Sequence, residues 1–150
     1  MRVVVQRFSE AEVSIDGQIY NRINQGLLIL LGIENRDSED DVQWLSKKIA
    51  SLRIFSDEEA KMNKSVMDVK GQILVVSQFT LHAKTKKGNR PSFIEAARPE
   101  LAIPLYEAFV KRLSLDAQSH VLTGQFGANM QLSSCNDGPI TILIDSKNKE

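Results

Sequence analysis

Apolar residues recur along this chain in two rhythms, and the rhythm switches at identifiable points. Val3-Val4-Val5-Gln6 is β-branched and short, which predicts a strand that Arg7 closes. Val13-Ser14-Ile15 and Ile19-Tyr20 flank Asp16-Gly17, a pair suited to the positive-φ positions of a tight hairpin. Gly26 then opens the unbroken apolar run Leu27-Leu28-Ile29-Leu30-Leu31-Gly32-Ile33, the pattern of a strand buried on both faces. After residue 35 the spacing becomes helical. Val42, Leu45, Ile49 and Leu52 share one face, Asp37 or Ser38 can cap the start, and Trp44 helps cover the sheet. Glu39, Asp40 and Asp41 sit where the helix dipole favours negative charge, with Lys47 and Lys48 at the opposite end.

Gln72-Ile73-Leu74-Val75-Val76 is again strand-like and delivers the polar sequence Ser77-Gln78-Phe79-Thr80. Pro91 is placed to begin a short helix through Phe93 and Ala97. Pro99 is placed to begin a longer one carrying Leu101, Leu105, Phe109, Val110 and Leu113, kinked or delayed at Pro104. Val121-Leu122, Met130-Gln131-Leu132 and residues 140–144 complete the strands, and the charged residues 145–150 are expected to fray. Residues 1–150 read as one domain without repeats or linkers. The fold class is α+β, with twisted, largely antiparallel sheets curling toward a barrel and two or three helices packed on them.

Composition narrows the chemistry. Lys plus Arg and Asp plus Glu are 19 each, so no overall basic field points to nucleic acid, and any such contact must use a local patch. The concentrated basic stretch is residues 84–90, which reads equally as a solvated loop. The single cysteine, Cys135, excludes an internal disulfide and reads as a small buried hydrophobe. Apolar runs are too short for a signal peptide or a membrane span, so the chain reads as soluble and cytoplasmic with no membrane partner. His82 and His120 lack metal-ligand or triad spacing, and His82 reads as a solvent-facing loop residue. Adjacent Asp57, Glu58 and Glu59 read as a solvated turn, with nothing nearby to desolvate them. No phosphate-cradling glycine loop is present, and no cofactor or metal is implied.

Two stretches keep a chemical meaning. Ser77-Gln78-Phe79-Thr80 lies where a core strand ends and its backbone N–H groups lose their ladder partners. Such donors can hold a developing oxyanion, although a strand with one polar face fits the tetrapeptide equally. Gly138-Pro139, between two apolar runs, is a fixed bend that can aim backbone carbonyls at a ligand; taken alone it reads as an ordinary loop.

Together, Ser77-Gln78-Phe79-Thr80-Leu81 and Asn136-Asp137-Gly138-Pro139-Ile140-Thr141 resemble the signature pair of the D-aminoacyl-tRNA (D-tyrosyl-tRNA(Tyr)) deacylases. The resemblance extends through Arg7, Asp16-Gly17, Arg53-Ile54-Phe55-Ser56-Asp57, Arg90-Pro91-Ser92-Phe93 and Thr123-Gly124-Gln125-Phe126. It implies a hydrolase that cleaves the ester of D-aminoacyl-tRNA and of glycyl-tRNA, working as a homodimer with active sites at the interface. It implies that Gly138-Pro139 is cis, enters the partner's pocket and rejects L-aminoacyl groups, with Arg7 holding it. Residues 77–80 match the motif lining the pocket, and Phe126 and Met130 match positions near its wall or the adenosine. The sequence favours chemistry assisted by the ribose 2′-OH, because no general base is evident. Thr80 as a covalent nucleophile is the alternative, as is a small-molecule esterase without RNA.

Overall fold

Alternation along the first strand decides how the sheet is covered. In the computed structural model, which describes residues 1–149, β1 (Arg2–Ile15) runs fourteen residues and serves two cores. Val3 and Val5 face a large cluster, whereas Phe8, Ala11 and Val13 face a smaller one on the other side. Register breaks on either side of Phe8 make that switch, since an extra residue in a strand reverses which side chains face inward. β2 (Gln18–Ile23) returns from the Asp16-Gly17 turn, where φ is +51° and +77°.

β3 (Gly26–Gly32) is covered on both sides as its composition predicts. Leu27, Ile29 and Leu31 enter the large core and Leu28 the small one. α1 (Glu39–Ala50) starts at Ser38, whose backbone N–H donates to the Asp41 carboxylate at 2.9 Å. Two short strands follow, β4 (Phe55–Ser56) and β5 (Met62–Lys64), forming their own antiparallel pair. β6 (Gln72–Ser77) splits its side chains like β3, with Ile73 and Val75 in one core and Leu74 and Val76 in the other. α2 (Pro99–Asp116), β7 (Val121–Thr123) and β8 (Met130–Asp145) complete the described chain.

The main sheet has the order β2-β1-β3-β6-β7, with β8 also paired to β1. β1 is antiparallel to β2, β3 and β8, while β3–β6 and β6–β7 are parallel. The sheet is therefore mixed, because the long crossovers carrying α1 and α2 return β6 and β7 in the direction of β3. Asn21 of β2 donates to the Thr123 carbonyl of β7 at 2.6 Å, drawing the two ends toward a nearly closed barrel. Both helices pack over the large core, through Val42, Leu45 and Ile49 on α1 and Ala102, Tyr106, Phe109 and Leu113 on α2. Ser46 ties them by donating to Asp116 at 2.7 Å.

Several expectations change. No helix begins at Pro91: residues 91–98 are irregular, pinned by backbone exchange between Lys84 and Ser92 (2.8 and 3.0 Å). Pro104 lies in the second turn of α2 without delaying its start. The tail is anchored where fraying was expected. Ser146 is buried, accepts from the Met1 ammonium at 2.7 Å and donates to Asp41 at 2.7 Å, and Lys147 reaches Asp41 at 2.6 Å. Burial alone would raise the Asp41 pKa, but the Lys147 and Ser146 hydrogen bonds outweigh it and hold the carboxylate well below its ordinary range. Cys135 is exposed rather than buried, because it lies on β8. No helix among the described residues is long and apolar enough to cross a membrane.

Candidate active site

Where β6 stops, the chain tightens rather than continuing extended. Gln78 still donates its backbone N–H to the Leu31 carbonyl at 2.7 Å, and residues Phe79–His82 then form a 3₁₀ turn. Such a turn leaves the N–H groups of its first residues, here Phe79 and Thr80, without intrahelical partners. Gly32 allows the turn to sit against β3. A Cβ there would stand 2.9 Å from the Gln78 carbonyl oxygen and 3.0 Å from both Leu81 Cβ and His82 Cδ2.

This junction lines a cavity of about 290 Å³. Its walls include Ser77, Gln78, Phe79, Phe126 and Met130, so the fold joins five of the candidate residues from three separate stretches. Leu31 of β3 and Ile33 just beyond it also line the cavity, as do residues 127–129. Phe126 is braced edge-on by Tyr106 (5.7 Å between centroids), whose hydroxyl donates to the Val75 carbonyl at 2.9 Å. Burial keeps that phenol protonated by pushing its pKa well above the usual value. Gly124 makes room for Met130, since a Cβ there would lie 2.5 Å from the thioether sulfur. Asn129 and Ala97 also line the cavity; neither carries a sequence signal, because each is brought there by a loop crossing.

Four other candidates lie outside that lining. Thr80 faces a different groove with Arg2, Trp44 and Leu143, and its hydroxyl accepts from the Gln78 amide at 2.5 Å. Arg7 is buried below the Gly138-Pro139 segment. It donates to the Asp137 carbonyl at 3.2 Å and the Ile54 carbonyl at 2.6 Å, and pairs with the Asp137 carboxylate at 2.9 Å. Opposite Arg7, β8 leaves its ladder between Asn136 and Thr141. The Gly138-Pro139 peptide bond is cis, Gly138 has φ +128°, and both residues are exposed. Asn136 closes this bulge by accepting the Ile140 N–H at 3.3 Å.

His82 is buried within the 3₁₀ turn, with no hydrogen-bond partner for Nε2 among the described residues, and not in a solvent-facing loop. The apolar run before it gave no sign that the chain would turn inward there. Asp57, Glu58 and Glu59 form a turn at the surface, Asp57 accepting the N–H groups of Glu59 and Lys61 at 2.9 Å each. Among the described residues no cluster of His, Cys, Asp and Glu could hold a metal ion.

The sequence pattern of the D-Tyr-tRNA(Tyr) deacylase family matches residues 4–145. A D-aminoacyl-tRNA deacylase of Bacteroides fragilis (strain YCH46) is 59% identical over 150 residues, covering 100% of each chain. A D-aminoacyl-tRNA deacylase of Flavobacterium psychrophilum is likewise 59% identical over the whole of both chains. Among solved structures, the c-Myc DNA Unwinding Element Binding Protein is 40% identical with a TM-score of 0.90, covering 97% of this chain and 98% of that one. A probable eukaryotic D-amino acid tRNA deacylase shares the fold, with a TM-score of 0.82 at 19% identity over 95% of this chain and 97% of that one.

Proposed function

The chain belongs to the D-Tyr-tRNA(Tyr) deacylase family, and from that premise we propose how its residues divide the work of hydrolysing a D-aminoacyl-tRNA ester. The enzyme is a hydrolase acting on ester bonds. The aminoacyl end of the substrate occupies the cavity beside Phe79, with its carbonyl oxygen toward the N–H groups of Phe79 and Thr80. The adenosine rests against Phe126 and Met130. Water adds to the carbonyl carbon, the bond to the ribose oxygen breaks, and the leaving oxygen takes a proton to regenerate the tRNA hydroxyl. The two amides stabilise the charge that develops on the carbonyl oxygen.

An aminoacyl ester is already reactive, so the site needs positioning more than a strong base. The neighbouring ribose 2′-OH orients the water and relays its proton. Thr80 suits a covalent role poorly, because its hydroxyl accepts from Gln78 and among the described residues no carboxylate or imidazole is hydrogen-bonded to it.

Chirality is read by backbone carbonyls of Gly138 and Pro139 donated by a second copy of the chain. An L side chain points into them, whereas hydrogen or a D side chain avoids them. The filter therefore rejects L residues of any identity and passes glycine. The observation carrying this reading is the separation of parts: the cavity contains residues 77–79, Phe126 and Met130, while Gly138-Pro139 stands exposed elsewhere, fixed by Arg7. β8 adds support, because it pairs with β1 along one edge and presents exposed Leu132 and Leu143, an edge that a second copy can cover.

Matched D- and L-aminoacyl-tRNAs, glycyl-tRNA and a simple aryl ester, assayed side by side, test the proposal. D-aminoacyl-tRNA and glycyl-tRNA should be hydrolysed, with the L-form and the aryl ester spared. Equal hydrolysis of D- and L-forms would remove the chiral filter, and preference for the aryl ester would favour an esterase without RNA.

A further inference from the structure

We propose that the exposed loop closed by the Lys84–Ser92 bridge grips the phosphate backbone of the RNA strand leading to the terminal adenosine. This rests on the deacylase reading and extends it to a surface outside the cavity. Lys86, Lys87 and Arg90 all lie on this loop and are all exposed. Among the described residues none of the three joins an ion pair or hydrogen bond. Lys84, at the base of the loop, is by contrast paired with Glu95, so the loop's free charge is gathered at its outer residues. Residues 84–92 contain no acidic side chain to offset the loop's charge. In a chain of zero net charge, this is a local positive field with no internal use.

Position gives the field its partner. Phe93, directly after the bridge, packs edge-on against Phe79 with centroids 5.1 Å apart, and Phe79 lines the cavity. The loop is therefore rooted at the cavity mouth. Doubled back from its bridge it reaches on the order of 10 Å, which at about 3.4 Å per stacked nucleotide matches roughly three residues of a single strand. A terminal nucleoside in the cavity would be followed outward by phosphates at that range. Gly88, with φ +67° and open space where a Cβ would stand, forms a tip on which a backbone can approach closely. Compact ammonium and guanidinium groups on such a loop suit a phosphate run without reading base identity.

The experiment compares the wild-type protein with Lys86→Ala/Lys87→Ala/Arg90→Ala. Binding of uncharged tRNA is measured across a salt series, and hydrolysis is measured on D-aminoacyl-tRNA and on D-aminoacyl-adenosine, which has no phosphate. Removing three contacts to a single strand should lower the slope of log K against log salt by about 2. KM for D-aminoacyl-tRNA should rise about tenfold with kcat unchanged, the signature of lost uniform binding. Hydrolysis of D-aminoacyl-adenosine should not change, and Lys86→Arg/Lys87→Arg should keep wild-type behaviour. An unchanged slope and KM would overturn the proposal, as would equal losses on both substrates. If the wild-type protein hydrolyses neither substrate, the deacylase reading fails, while the slope comparison still decides whether the loop holds RNA.

Discussion

Arg7 links two parts of the chain that lie far from each other in sequence. Its guanidinium spans the Ile54 and Asp137 carbonyls, so a planar fork of donors fixes the base of the Gly138-Pro139 bulge from a rigid strand. Gly138 itself has little freedom to change. A Cβ would meet Ile140 Cγ1 at 2.7 Å and the Ile140 nitrogen at 3.0 Å, and φ +128° is unfavourable for any L side chain. Gly138→Ala should therefore displace the carbonyls at a cost of about 1–3 kcal/mol, equivalent to roughly 5- to 160-fold in rate. Single-turnover deacylation with a parallel melting curve separates lost positioning from lost stability. Thr80→Ala addresses the other candidate. Thr80 lines a separate groove and its hydroxyl is taken up by Gln78, so hydrolysis of D-aminoacyl-tRNA should fall by less than about tenfold, far short of the loss when a reacting group is deleted. Complete inactivity with intact substrate binding would restore Thr80 as the nucleophile.

At the scale of elements, the site is made by a strand ending on time. β6 stops at Ser77, and the 3₁₀ turn that follows takes the Phe79 and Thr80 amides out of the strand ladder at the edge of the cavity. The turn is placed by its seat on Gly32, not by its own four residues. Gly32→Ala would press on the Gln78 carbonyl, Leu81 and His82 together, shifting the turn by a few tenths of an ångström. The expected outcome is about 1–3 kcal/mol of lost stability from overpacking and a fall in kcat beyond it, because misplacement of about 1 Å costs on the order of 10²-fold. Thermal melts and kcat measured on the same preparation check this. A kcat that stays at the wild-type value would show that the turn does not position the reaction.

At the scale of the whole molecule, the proposed division of the site rests on Gly138-Pro139 lying outside the cavity lining of its own chain. The cavity is built over β3, β6 and the loop after β7, and the Gly138-Pro139 bulge projects from β8 with Arg7 beneath it. Subunit mixing turns this into a measurement. Gly138→Ala and Phe126→Ala dimers should each be impaired, because every site in them carries one lesion. Mixed dimers place both lesions in one site and leave the other whole, so random exchange should restore about a quarter of wild-type activity. No recovery on mixing would mean that each chain completes its own site.

The first strand, expected to close at Arg7, runs on to Ile15, but the sequence by itself determined the apolar strands β3 and β6, the Asp16-Gly17 hairpin and the capped helix after residue 38. These are local consequences of periodicity, turn chemistry and capping, each encoded within a few residues. It also carried the family, through Ser77-Gln78-Phe79-Thr80 and Asn136-Asp137-Gly138-Pro139, because the two stretches together are more specific than either alone. The tertiary structure decided what depends on partners distant in the chain. The helix expected at Pro91 is absent because Lys84 and Ser92 exchange backbone hydrogen bonds and Phe93 packs on Phe79. The tail is anchored because Ser146 meets the Met1 ammonium and Asp41. His82 is buried because a 3₁₀ turn replaces further strand. Gly138-Pro139 lies outside the cavity lining because β8 pairs with β1, placing the bulge over Arg7. A short motif fixes which groups are available; the register of long-range pairing fixes which of them can share a site.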